Sequence, residues 1–82
     1  MLEYTLHDYV KLVLNDHFQK LGENQPSKVY LMVITEVEKA LFKSVLDYCE
    51  NNQSKAAQIL GISRGTLRHK LKEYGLDIHT RE

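Results

Sequence analysis

The sequence is short of nearly every residue that would support chemistry of its own. A single cysteine, Cys49, allows no disulfide within the chain and no cysteine-built metal cage. Its expected place is the core, as a small hydrophobe, in a reducing, cytoplasmic setting. One proline, Pro26, and four glycines leave no Gly/Ser-rich linker, and there is no repeat or low-complexity tract. No apolar run approaches the ~20 residues of a membrane span, so no membrane partner is expected. No charged-then-apolar leader is expected at the start. The four histidines, His7, His17, His69 and His79, fall on separate segments without a metal-ligand spacing. A nucleotide-binding glycine loop is missing, and so is any Ser-His-Asp or paired-carboxylate arrangement. No cofactor or metal is expected, and the chain is read as a non-enzyme. Eighty-two residues allow one small domain, and a lone monomer of that size buries little core.

The most informative absence is of one charge sign in one place. From Asn51 through Lys72 there is no Asp or Glu, while Lys55, Arg64, Arg68, Lys70 and Lys72 lie inside. The chain is neutral as a whole, but residues 1–52 carry five basic against eight acidic side chains, net −3. Residues 53–82 carry six basic against three acidic, net +3. An acidic body with a basic end suggests a polyanion as the partner of that end.

What is present there is a helix-turn-helix pattern. Gln53 to Leu60 reads as a short helix with Ala56, Ala57 and Leu60 inward, and Gly61-Ile62 as the turn. Ser63 is a good N-cap for a second helix, with Ile62 and Leu67 at the spacing of a hydrophobic staple. Leu67, Leu71 and Tyr74 form one apolar stripe. Gly75 then stops the helix, and Leu76 is placed to fold back on Leu71 in a Schellman cap.

Upstream, a helix is expected from Leu6 or His7 to Leu21, closed by Gly22. Its stripe is Leu6, Val10, Val13, Leu14, His17, Phe18 and Leu21, with His17 partly buried. A long helix follows from about Ser27 to Glu50, with Pro26 in or just before its first turn. At about 1.5 Å per residue it would span roughly 36 Å, more than a small monomer needs. Its first half, Val29 to Ile34, is apolar on every side, and its second half keeps Val37, Leu41, Val45, Leu46 and Cys49 on one broad face. A helix apolar all round must be covered all round, which points to a second copy of the chain. The dimer contacts expected are Val10, Val13, Leu14, Phe18, Tyr30, Val33, Ile34, Val37 and Leu41. The fold class expected is all-α, with four helices per subunit. Residues 1–51 form a helical dimerisation region, and residues 52–82 a helix-turn-helix within one compact domain.

The segments Asn52-Gln53-Ser54-Lys55-Ala56-Ala57, Leu60-Gly61-Ile62, Arg64-Gly65-Thr66-Leu67-Arg68, Lys70-Leu71-Lys72 and Tyr74-Gly75 resemble the C-terminal unit of the Fis (factor for inversion stimulation) family. The same unit ends the sigma-54-dependent activators related to NtrC. Glu36-Val37-Glu38 followed by Leu41 resembles the long helix that precedes it, so the likeness runs from about Tyr9 to Leu76. The resemblance implies a homodimer whose first two helices interlock, and a nucleoid-associated, cytoplasmic regulator that binds and bends double-stranded DNA. Many family members carry a proline near the position of Ala40, so a straighter helix is expected here. The family's N-terminal arm, which contacts invertases, is expected to be reduced, and that contact is not carried over. The ATPase and receiver domains of the NtrC relatives do not fit in 82 residues. An operator-specific regulator and a helical module binding an acidic protein are the competing readings.

Geometry and resemblance together single out the candidate DNA contacts. Arg64, one position inside the second motif helix, is the expected base reader, because residues near the start of such a helix reach base edges and arginine pairs bidentately with guanine. Gly65 would let the backbone come close to DNA or to the first motif helix. Asn52, Gln53, Ser54 and Lys55 stand where a helix N-terminus can hold a phosphate. Thr66, Arg68, Lys70 and Lys72 are expected phosphate contacts, with Ser63 and His69 at the front or flank. Three positions depart from the family pattern. Ser63 stands where asparagine is common, His69 replaces a lysine, and Glu73 appears where basic residues are frequent.

Overall fold

The computed structural model describes residues 3–77; His79 and the other last residues of the expected 52–82 unit lie outside them. Among the described residues there are four helices and no strand: α1 (Leu6–Leu21), α2 (Val29–Tyr48), α3 (Gln53–Leu60) and α4 (Arg64–Glu73). The chain is all-α.

Helix α1 begins where a capping box permits it. The Thr5 N–H donates to Asp8 Oδ2 (3.1 Å) and the Asp8 N–H donates to Thr5 Oγ1 (3.2 Å). The bond from the Thr5 backbone, then that from its hydroxyl, holds the Asp8 carboxyl below its ordinary range. Gly22, at φ 60°, ends the helix.

Helix α2 is shorter at both ends than expected. Lys28 takes a left-handed φ of 54°, so Ser27 and Pro26 stay outside and the helix starts at Val29. At the other end Glu50 (φ 54°) and Asn51 (φ 65°) are both left-handed, and the helix stops at Tyr48 rather than running to Glu50. The Asn51 N–H reaches back to the Leu46 carbonyl (2.7 Å) and the Glu50 N–H to that of Asp47 (3.4 Å), closing the helix as a Schellman turn does. Between these ends α2 passes through Ala40 unbroken.

Compact packing divides the chain within α2, into residues 1–34 and 35–82. In the first unit α1 has no buried residue. Leu6, Leu12 and Val13 are each more than half exposed, Tyr30 is 79% exposed, and Val10, Leu14, His17, Val33 and Ile34 are half-buried.

The second unit holds the core: Phe42, Leu46, Cys49, Ala56, Ala57, Leu67 and Leu71, flanked by Val45, Leu60, Ile62, Tyr74 and Leu76. The helix-turn-helix therefore borrows part of its core from α2. Here the structure corrects the sequence reading, which merged two faces of α2 into one. Phe42, Leu46 and Cys49 recur at i, i+4 and i+7 and are buried together, whereas Leu41 is 46% exposed beside them. Cys49 is buried as expected, its thiol placed to donate to the Val45 carbonyl (3.1 Å), with that of Asn52 at 3.4 Å.

Candidate nucleic-acid interface

Helices α3 and α4 owe their ends to local chemistry. Asn52 caps α3, its Oδ1 accepting from the Lys55 N–H at 3.1 Å. Gly61, at φ 75° and ψ 28°, makes the corner that a side chain would strain. Its N–H donates to the Ala57 and Gln58 carbonyls, and that of Ile62 to Ala57 at 3.1 Å. Ser63 caps α4 by accepting from the Thr66 N–H (3.1 Å), and its hydroxyl donates to Thr66 Oγ1 (2.8 Å). Helix α4 ends in the Schellman geometry foreseen for it. The Leu76 N–H bonds the Leu71 carbonyl at 2.8 Å and the Gly75 N–H that of Lys72 at 3.2 Å.

Leu67 and Leu71 are fully buried. At about 100° per residue, Arg64, Arg68 and Lys72 lie progressively further round one side of that stripe, with Arg64 nearest to it and exposed as the first residue of α4, and His69 lies opposite it. Arg64 is exposed, and its Nη1 donates to Ser54 Oγ at 3.2 Å, tying the two helices across the turn. Lys55, Ser63, Thr66, His69 and Lys72 are exposed, and Asn52, Ser54 and Arg68 half-buried. His69 Nε2 lies 3.7 Å from Glu73 Oε2 on the next turn of α4.

Two candidate residues sit elsewhere than the sequence suggested. Gln53 is buried, 5% exposed, because its position on the first turn of α3 faces inward towards the α2 core. Its side chain is not on the surface, so its candidacy for a contact reduces to its backbone N–H. Lys70 lies on the other side of the buried stripe from Arg64, and its Nζ is 3.4 Å from Glu38 Oε1 on α2. The same carboxylate oxygen accepts a short hydrogen bond from the Tyr74 hydroxyl. That bond, then burial, pushes the Tyr74 phenol above its ordinary range.

Sequence reasoning gave Glu38 no role. The signal was available: Glu38 is four residues before Phe42, on the stripe that becomes core. An acid there must find donors or remain in water.

Gly65 is the reverse case. It lies inside α4, its φ is not left-handed, and a Cβ built on it meets nothing within 4 Å. Close approach to α3 is thereby removed as a reason for glycine at this position.

The family model described as "Bacterial regulatory protein, Fis family" matches residues 33–74. The DNA-binding protein Fis of Proteus mirabilis is 44% identical over 72 residues, covering 88% of this chain and 74% of that protein. The protein of the same name from Yersinia enterocolitica matches to the same extent. That of Mannheimia haemolytica is 42% identical over 71 residues, covering 87% of this chain and 72% of its own length.

Proposed function

The chain belongs to the Fis family of bacterial regulatory proteins, and from that premise we propose that it binds and bends double-stranded DNA as a homodimer, acting as a nucleoid-associated regulator of transcription in the cytoplasm. The observation that carries this reading is the surface of α3 and α4. Arg64 is exposed on the first turn of α4, with Arg68 and Lys72 on the same side, in a stretch without a single acid. Arg64 reads a base edge, and Ser54, Lys55, Thr66, Arg68 and Lys72 hold phosphates, with Ser63 and His69 beside them. Asn52 contributes as the residue that presents the N-terminus of α3.

The dimer is supported by uncovered apolar side chains in the first unit, and separately by Leu41 in the second. Val13 at 59%, Tyr30 at 79% and Leu41 at 46% are far more exposed than single scattered apolar residues require. Two recognition helices from such a dimer enter successive major grooves, and the cost of bending selects flexible central steps in a degenerate site.

The test is a titration onto a labelled duplex of about 27 base pairs, long enough for two half-sites one helical turn apart, across a salt series. A dimer contacting several phosphates per subunit gives a log–log salt slope on the order of −5 to −10. Sedimentation of the free protein checks the dimer. A flat slope would remove the DNA reading and favour an acidic protein as the partner of the basic end.

Gly65 supplies a second check. Gly65→Ala should stabilise the free protein by about 1 kcal/mol, since glycine inside a helix costs that much and nothing in the fold uses it. The same change should weaken binding to the duplex, because the added methyl meets the approaching DNA backbone. A thermal melt beside the titration separates the two effects. A more stable variant that binds as tightly as the wild type would leave Gly65 without a role at the interface.

A further inference from the structure

Lys70 and Lys72 are two residues apart in an acid-free basic stretch and look interchangeable in the sequence. The structure separates them. Lys72 is exposed. The Lys70 side chain is 33% exposed and its Nζ lies 3.4 Å from Glu38 Oε1, on a carboxylate that is itself 24% exposed. The bridge runs between α2 and α4, not along one helix, so it joins two elements that the chain separates by 32 residues.

Geometry on α4 explains the difference. Tyr74 is four residues beyond Lys70, so both side chains lie on the flank that meets α2. Glu38 serves the two together, one oxygen accepting from the Tyr74 hydroxyl and facing the Lys70 ammonium. Tyr74 in turn packs its ring 6.3 Å from that of Phe42, in the core. The carboxylate is thus fixed from one side by a partly buried aromatic and neutralised from the other by the lysine. Removing the Lys70 charge leaves the partly buried carboxylate with the Tyr74 hydroxyl but no counter-charge.

We propose that Lys70 is a positioning residue held by Glu38 and not one of the phosphate contacts. The Glu38–Tyr74–Lys70 cluster anchors the C-terminal half of the recognition helix to the long helix. This rests on the DNA-binding reading above and changes which cations act in it: Arg64, Arg68 and Lys72 face the polyanion, and Lys70 faces the protein's own acid.

Salt slopes distinguish the two roles. Each phosphate contact contributes about −0.9 to the log–log slope, so losing one per subunit flattens the slope of a dimer by roughly 2. Lys72→Met should show that loss. Lys70→Met, which keeps the aliphatic stem, should leave the slope at the wild-type value. Glu38→Gln retains an acceptor for Tyr74 and releases the Lys70 charge. It should steepen the slope and tighten binding to non-specific duplex, and adding Lys70→Met to it should restore the wild-type slope. A flattening by Lys70→Met equal to that by Lys72→Met would overturn the proposal.

The DNA-free protein provides an independent arm through thermal midpoints. Lys70→Met should lower the midpoint in the wild-type background and have little effect in the Glu38→Gln background. Additive shifts would overturn the proposal as well. If the wild type showed no salt-dependent binding at all, the DNA reading would fail, and this cycle would still decide whether Glu38 holds Lys70.

Discussion

Replacing Arg64 by alanine should remove the direct base discrimination while changing the stability of the protein little. Arg64 is exposed, and its recorded side-chain contact is with Ser54 across the turn, so truncating it removes no core packing. Its position on the first turn of α4 is where a side chain reaches base edges, and a bidentate arginine–guanine pair is worth about 1–3 kcal/mol of discrimination. A dimer makes the contact twice. The loss on a preferred site should therefore be about 2–6 kcal/mol, roughly thirtyfold to more than ten-thousandfold in affinity. On random duplex the loss should be much smaller, because phosphates dominate there. Arg64→Lys should not rescue the preferred site, since an ammonium cannot present the planar fork. The decisive measurement is binding to a site carrying 7-deazaguanine, which lacks the N7 acceptor. Wild type should lose affinity on that site and Arg64→Ala should lose no more. Equal losses by the variant on every duplex would make Arg64 a phosphate contact and would refute the base-reading role.

Leu67→Ala should be as damaging by the opposite route. Leu67 is fully buried, one turn into the helix whose exposed first residue is Arg64. Truncating a buried leucine costs about 2–5 kcal/mol through lost transfer energy and the cavity left behind. The described core has few residues to absorb it: Phe42, Leu46, Cys49, Ala56, Ala57 and Leu71. Whole domains are stable by only about 5–15 kcal/mol, and small ones lie near the lower end. The variant should melt far below wild type by far-ultraviolet circular dichroism and should bind DNA only at temperatures where α3 and α4 remain folded. A drop worth less than about 1 kcal/mol would mean that the site collapses around the smaller side chain and that the core is more plastic than its close packing implies. Together the two variants separate the exposed start of α4 from its buried stripe, since Arg64→Ala largely spares the melt and Leu67→Ala does not.

The features that sequence showed best are those set by neighbours three or four residues apart. The Ser63 cap, the Gly61 corner and the Schellman closure from Leu71 to Leu76 are written locally, and each stands where the residue types require it. What was hidden depends on partners far along the chain. Phe42 and Leu41 are adjacent apolar residues on α2, and nothing in their own composition says that one is core and the other surface. The direction is decided by α3 and α4 packing against that helix. Gln53 resembles its polar neighbours in sequence, but its place on the inner side of α3 buries it. Lys70 shares the charge of Lys72 and differs from it only through an acid 32 residues earlier. The ends of α2 differ from the expected ones because Lys28 and Glu50 take left-handed conformations that their residue types do not favour, while the left-handed Asn51 is a residue type that often closes a helix.

The Tyr74–Glu38 contact gives this protein an optical handle. With five tyrosines, two phenylalanines and no tryptophan, the long-wavelength end of its near-ultraviolet spectrum belongs to phenols. Tyr4, Tyr9, Tyr30 and Tyr48 are between 45% and 82% exposed. Tyr74 instead lies against Phe42 and donates a hydrogen bond to a carboxylate, in a fixed asymmetric setting. Such a setting gives a phenol its near-ultraviolet ellipticity and quenches its emission. The seating of the recognition helix on the long helix is therefore visible without a label, as a chromophore that the chain carries at the joint itself.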